Sequence, residues 1–134
     1  MKEKVSSMAG YLKNVGSSEI RSKFSREDLT VEELSELMEA FIEATKTGSH
    51  AEQGWTRSTY SASKVGMSAL TRIWAREWET IDVSACCPGW CRTNMAGDKA
   101  PKSAAQGALT PVWLATRPES NNGRFFTEER EGVW

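Results

Sequence analysis

Between Thr30 and Gly48, apolar side chains return every three or four residues: Leu34, Leu37, Met38, Phe41 and Ile42. That spacing draws one apolar stripe along an α-helix and predicts a helix over 31–46. Both ends are marked. Thr30 and Glu33 have the spacing of a reciprocal capping box, Glu32 sets negative charge at the positive end of the helix dipole, and Lys46 with Gly48 suits the exit. A shorter helix is predicted around Ser18–Phe24, where Ile20 and Phe24 lie four apart and share a face. From Ser58 to about Trp78 the chain has no proline and one glycine, and the small residues Ala62, Gly66 and Ala69 recur at three- and four-residue steps. This predicts a long helix whose small face lets another element come close.

The pattern then changes period. Ile81, Val83 and Ala85 alternate with Asp82 and Ser84 and lead through Cys86-Cys87 to Pro88-Gly89, which predicts a strand ending in a turn. Near the start, Lys4 to Ser7 leans towards β structure and gives way to a turn at Met8-Ala9-Gly10. A further helix is predicted from Ser103, with Gln106 in the reciprocal capping position. Within it Gly107 permits close packing, and Pro111 is expected to kink the axis. Gly123 to Thr127 reads as a last short strand, and 128–134 as a polar tail up to its final tryptophan. Thr47 to Thr56 is a polar loop, and no internal repeat or low-complexity tract is present.

Composition narrows the function. At 134 residues the chain makes one small domain at most, and with 17 basic against 18 acidic residues it has no charge excess to draw it to nucleic acid or an anionic membrane. No apolar run approaches the ~18 residues of a membrane span, and the first residues lack a signal peptide's apolar stretch, so a soluble cytoplasmic protein is expected. Cys86, Cys87 and Cys91 are an odd number crowded into six positions, which suits reduced thiols. They lack Cys-x-x-Cys spacing, and His50 is the single histidine, so no metal site is expected.

The chemistry-bearing segment is Tyr60-Ser61-Ala62-Ser63-Lys64. Tyr60 and Lys64, four apart near the start of a helix, point to the same side. A phenol is a poor acid-base group at neutral pH, but a neighbouring ammonium stabilises the phenolate and lets the pair exchange a proton with a carbonyl or alkoxide oxygen. The spacing alone is common, and the context is what sharpens it. Val5-Ser6-Ser7 lies upstream and Pro88-Gly89-Trp90-Cys91-Arg92-Thr93 downstream. Serine, then tyrosine with lysine, then a proline-glycine turn is the order of the short-chain dehydrogenase/reductase family, which the chain resembles. Gly54-Trp55, Ala85 to Trp90, Met95-Ala96-Gly97, Thr110-Pro111-Val112 and Gly123 to Phe126 extend the resemblance to the animal NADPH-dependent carbonyl-reductase branch, over residues 5–134. The helical insertion at about 17–48 is characteristic of that branch.

The resemblance implies an α/β fold: a partial Rossmann-type, doubly wound parallel sheet of about three strands. Residues 1–134 would form the C-terminal catalytic half of the domain. It implies NADPH-dependent reduction of quinones, aromatic ketones and aldehydes to alcohols. Tyr60 would be the general acid, and Lys64 would assist it and hold the nicotinamide ribose. Ser7, rather than Ser6, would hold the substrate oxygen. Tyr60, Lys64, Pro88, Gly89, Trp90, Cys91, Arg92 and Thr93 would meet the cofactor, and Ser7, Met8, Ala9, Trp90 and Met95 the substrate. Cys86 and Cys87 would be inert core thiols, and full-length members of the branch are expected to be monomers.

The chain also departs from the family. It carries no T-G-x-x-x-G-x-G turn, no N-N-A-G segment and no helix asparagine to complete the catalytic tetrad, and Met1-Lys2-Glu3-Lys4 stands where the body of a strand should precede Ser7. The Glu79-Thr80 connection is short. A sheet of three strands would leave an edge and an apolar face open. Two expectations follow from this: a carbonyl reductase with its serine, tyrosine and lysine in family roles, or a truncated, non-catalytic remnant that is either a binding module docking through the open edge or an unstable fragment.

Overall fold

The computed structural model describes residues 2–134, so the reading of Met1 lies outside the described residues. In chain order the elements are β1 (Lys2–Val5), two 3-10 turns (Met8–Gly10 and Leu12–Asn14), α1 (Ser18–Ser25), α2 (Val31–Lys46), α3 (Thr59–Glu77), β2 (Val83–Cys87), α4 (Ala104–Thr116), β3 (Phe125–Thr127) and β4 (Arg130–Gly132). The sheet order is β1-β2-β3-β4. β1 and β3 run parallel to β2, and β4 pairs antiparallel to β3. The expected α/β class is what forms.

The sheet has four strands, not about three. Residues 130–132 lack the alternation of a strand because β4 is an exposed edge. It is joined to β3 through Glu128 and Glu129, both at positive φ (54° and 57°). A two-residue turn of that kind usually announces itself through Asn or Gly, and two glutamates hide it. Here the turn is held by neighbours: Glu128 pairs with Lys102, and the Glu129 N–H donates to Thr110 Oγ1 at 3.3 Å. At the other edge, the polar Lys2-Glu3-Lys4 forms strand rather than replacing it. β1 has a neighbour on one side only, so it can be polar, and the Lys4 ammonium lies 4.8 Å over the Trp74 ring.

β2 is buried throughout, as a central parallel strand covered on both faces must be. Ala85 and Cys87 pack with Phe125, Tyr11 and Trp134 on one face, and Cys86 packs with Phe126, Leu114 and Trp113 on the other. The strand starts at Val83, two residues later than the alternation suggests, and takes in Cys86 and Cys87. All three cysteines are free and buried.

The larger core lies between α2 and α3, where Leu34, Phe41 and Ala44 meet Ala62, Val65, Ala69 and Ile73. The small face of α3 serves as its spacing predicts: a Cβ built at Gly66 would come within 2.8 Å of Met38 Sδ. Both predicted capping boxes form, at Thr30 with Glu33 and at Ser103 with Gln106. α4 continues through Pro111 to Thr116. The Arg76 guanidinium ties the α1–α2 segment to α3 by donating to the carbonyls of Glu27 and Leu29. Among the described residues no helix is long and apolar enough to cross a membrane.

Candidate active site

Where β1 and β2 end, the chain turns outward on both strands, and the space between the turns is closed by the first turn of α3 and by α4. The result is a cavity of about 900 Å³. An open α/β sheet places its binding crevice at the carboxyl ends of parallel strands, because there the loops diverge.

The β1 side supplies two serines with different fates. Ser6 is buried, and its hydroxyl bonds to Ser68 Oγ at 2.8 Å and donates to the Lys64 carbonyl at 3.3 Å, fastening the strand end to α3. Ser7 caps the 3-10 turn, and its Oγ accepts the Ala9 N–H at 3.1 Å. Because that bond uses a lone pair, the Ser7 O–H remains free to donate into the cavity it lines. Met8 and Ala9 follow on the same wall, and Asn14 Nδ2 holds the turn by donating to the Ala9 carbonyl at 2.8 Å.

The α3 side supplies Tyr60 and Lys64. Ser58 caps the helix by accepting the Ser61 N–H at 3.2 Å, so Tyr60 sits in the first turn and Lys64 one turn on, both lining the cavity. Tyr60 is 48% exposed, and the Lys64 ammonium lies 5.6 Å from the centre of its ring. The ammonium also donates to the Val5 carbonyl at 3.0 Å. Alternation along β1 turns that carbonyl to the open edge, since the flanking Lys2 and Ser6 N–H groups point to β2. Lys64 therefore has one anchor on the strand and protons to spare for the cavity.

The third wall is the turn after β2. Pro88, Gly89, Trp90, Cys91 and Thr93 line the cavity; Trp90 and Met95 stand at its mouth, 56% and 89% exposed. Arg92 goes elsewhere: its guanidinium donates to the carbonyls of Ala100 and Pro101 at 2.9 and 3.0 Å, bracing the loop behind the wall. Cys91 is buried against α4, where a Cβ at Gly107 would fall 2.4 Å from its sulfur, so that glycine sets how close helix and turn can pack. Lys102 forms an ion pair with Glu128; the pairing raises the Lys102 pKa and lowers that of Glu128. Among the described residues no three His, Cys, Asp or Glu gather as a metal site would need.

The short chain dehydrogenase family profile matches residues 46–104, the stretch that carries Tyr60, Lys64 and the Pro88 turn. Carbonyl reductase (NADPH) 1 of Sus scrofa is 46% identical over 130 residues, which are 90% of this chain and 45% of that protein. The Homo sapiens protein of the same name is 46% identical over 127 residues. By these matches the chain is similar to members of the short-chain dehydrogenase/reductase family. It spans somewhat under half the length of the curated relatives it matches. Solved structures of the family agree on the fold. Salutaridine reductase from Papaver somniferum superposes with a TM-score of 0.85 at 28% identity, covering 94% of this chain and 44% of that one. The menthone neomenthol reductase from Mentha piperita does so with a TM-score of 0.76 at 29% identity.

Within this short-chain dehydrogenase/reductase frame, every candidate residue except Arg92 lines one cavity. Sequence reading missed the parts that hold the walls: Gly10, Asn14, the Ala104, Ala108 and Pro111 side of α4, and Trp134. Gly10 had a local signal in the run of small residues after Ser7. Trp134 had none, because its partner is 124 positions away.

The site's donors suit the nicotinamide end of a dinucleotide. The Ser7 and Tyr60 hydroxyls and the Lys64 ammonium, with Thr93 on the facing wall, open on a cavity whose lining also includes Pro88, Trp90, Ala104, Ala108 and Pro111. A flat heteroaromatic ring with a ribose diol asks for that combination.

Proposed function

We propose that this chain carries an NADPH-dependent carbonyl-reducing site, with Ser7, Tyr60 and Lys64 as its catalytic residues and residues 1–134 acting as one catalytic unit. The carrying observation is that the Tyr60 hydroxyl and the Lys64 ammonium from α3 and the free O–H of Ser7 from the turn after β1 open on a single cavity. When bound, the nicotinamide supplies a hydride to the carbonyl carbon. The Ser7 O–H donates to the carbonyl oxygen and fixes its position as negative charge develops there. Tyr60 gives that oxygen its proton, completing the alcohol, and is left as a phenolate beside the Lys64 ammonium. That charge stabilises it until a proton returns from water through the open mouth.

Lys64 and Tyr60 would also hold the ribose, and Pro88, Gly89, Trp90, Cys91 and Thr93 the carboxamide side; Arg92 would serve by bracing the loop. The substrates that fit are bulky, flat and apolar: quinones, aromatic ketones and aldehydes, held between Met8, Ala9, Trp90 and Met95. We assign the protein to the cytoplasm, in keeping with its three free, buried thiols.

Titration calorimetry of NADPH into the purified chain tests the reading. Micromolar binding is expected for the wild type, weakened about tenfold or more in Lys64→Ala through loss of a charged hydrogen-bond donor to the ribose. A folded wild-type sample that gives no binding heat and protects no residue of the cavity on NADPH addition would contradict it.

A further inference from the structure

The turn carrying Ser7 is held from behind by the end of the chain. Gly10, which closes that turn, lies in backbone contact with α3 at the residue bearing the ammonium: a Cβ built there would fall 2.6 Å from the Lys64 carbonyl carbon. The N–H of Gly10 donates to the Ser7 carbonyl at 2.8 Å, and its own carbonyl accepts the indole N–H of Trp134 at 2.8 Å. The indole is half-buried and packs on Ala85, Cys87 and Phe125, while the Arg72 guanidinium sits 5.3 Å over its ring. Arg72 stands on α3 about two turns beyond Lys64. Gly132 also lies beside the Tyr11 side chain, since a Cβ built there would fall 3.1 Å from the Tyr11 hydroxyl, so β4 comes close to the residue that follows Gly10. Trp134 thus touches the two elements, the Ser7 turn and α3, whose separation sets the distance from Ser7 to Tyr60 and Lys64.

We propose that Trp134 is a positioning residue for the site, acting through the Gly10 carbonyl to hold the Ser7 hydroxyl in register with Tyr60 and Lys64. The inference rests on the carbonyl-reducing reading of the site, but its first test does not need turnover. Trp134→Phe keeps an aromatic ring under Arg72 and removes the N–H donor. A second variant carries 3-benzothienylalanine at position 134 by protein ligation, and replaces only the N–H by sulfur in a bicyclic ring of the same shape.

Amide hydrogen exchange of Ala9, Gly10 and Tyr11 should quicken about five- to tenfold in both, the worth of one hydrogen bond, with the β2 amides unchanged. In turnover with NADPH and an aromatic ketone, kcat should fall about tenfold while KM stays within about twofold, the mark of lost alignment rather than lost binding. Unchanged exchange in the turn of the benzothienyl variant, or exchange that rises equally in β2, overturns the proposal. So does an unchanged kcat. A wild type without turnover would count against the carbonyl-reducing reading alone, and the exchange measurement would still decide for or against the strut.

Discussion

Ser6 and Ser7 are adjacent, chemically identical and equally near the site, yet folding assigns them different work. The alternation of β1 turns Ser6 inward, where Ser68 and the Lys64 carbonyl consume its hydroxyl, and leaves Ser7 at the strand end with a proton to donate. The cysteines show the same dependence on place. Burial, with Glu3 and Cys87 adding charge repulsion, pushes the Cys86 thiol up to about 11. An unfolded chain gives up that proton near pH 8.5, so the folded state binds the extra proton between the two values. The stability contributed by Cys86 is therefore complete below about pH 8.5 and is lost as pH rises towards 11. Urea midpoints measured across that window should fall more steeply for the wild type than for Cys86→Ala. Parallel curves would mean that the thiol ionises as freely in the folded chain as in the unfolded one.

At the scale of elements, contacts between backbones decide what can change. Gly10 and Gly66 both face a neighbour closer than a Cβ tolerates, but the neighbour of Gly66 is the flexible end of Met38 and that of Gly10 is the backbone of α3. Gly66→Ala should be absorbed by a new methionine rotamer at under about 1.5 kcal/mol, whereas Gly10→Ala should cost about 1–3 kcal/mol and move the Ser7 turn off Lys64. Denaturant unfolding of the two variants checks the order, and a Gly10→Ala protein as stable as the wild type would remove the contact from the account. The elements that could be read from sequence are those whose signals are local: the apolar stripe of α2, the two capping boxes, the small face of α3 and the alternation entering β2. What stayed hidden is set by distant partners. β4 depends on a turn of two glutamates held by Lys102 and Thr110, and the polar β1 depends on β2 for its pairing and on Trp74 for cover of Lys4.

Across the whole molecule, the candidate site was legible because its chemistry lies in short runs: a tyrosine and lysine one helical turn apart, a serine at a strand end and a proline-glycine turn. Their meeting in one cavity follows from the parallel sheet, which brings the carboxyl ends of β1 and β2 side by side. The exception, Arg92, could not be anticipated, since the carbonyls of Ala100 and Pro101 that claim it are brought near only when the loop folds back on Lys102. The open outer edge of β1 and the share of the relatives' length that the chain spans make turnover, not fold, the point to be proved. The most direct measurement is NADPH consumption by the purified chain in the presence of a quinone or aromatic ketone, run beside Tyr60→Phe. Substrate-dependent consumption that falls by about 10²–10⁴ in the variant is the predicted result, the contribution of a positioned general acid. Equal consumption by wild type and Tyr60→Phe, or none by a wild type that binds NADPH, would contradict the assignment of Tyr60 as the proton donor of a working reductase.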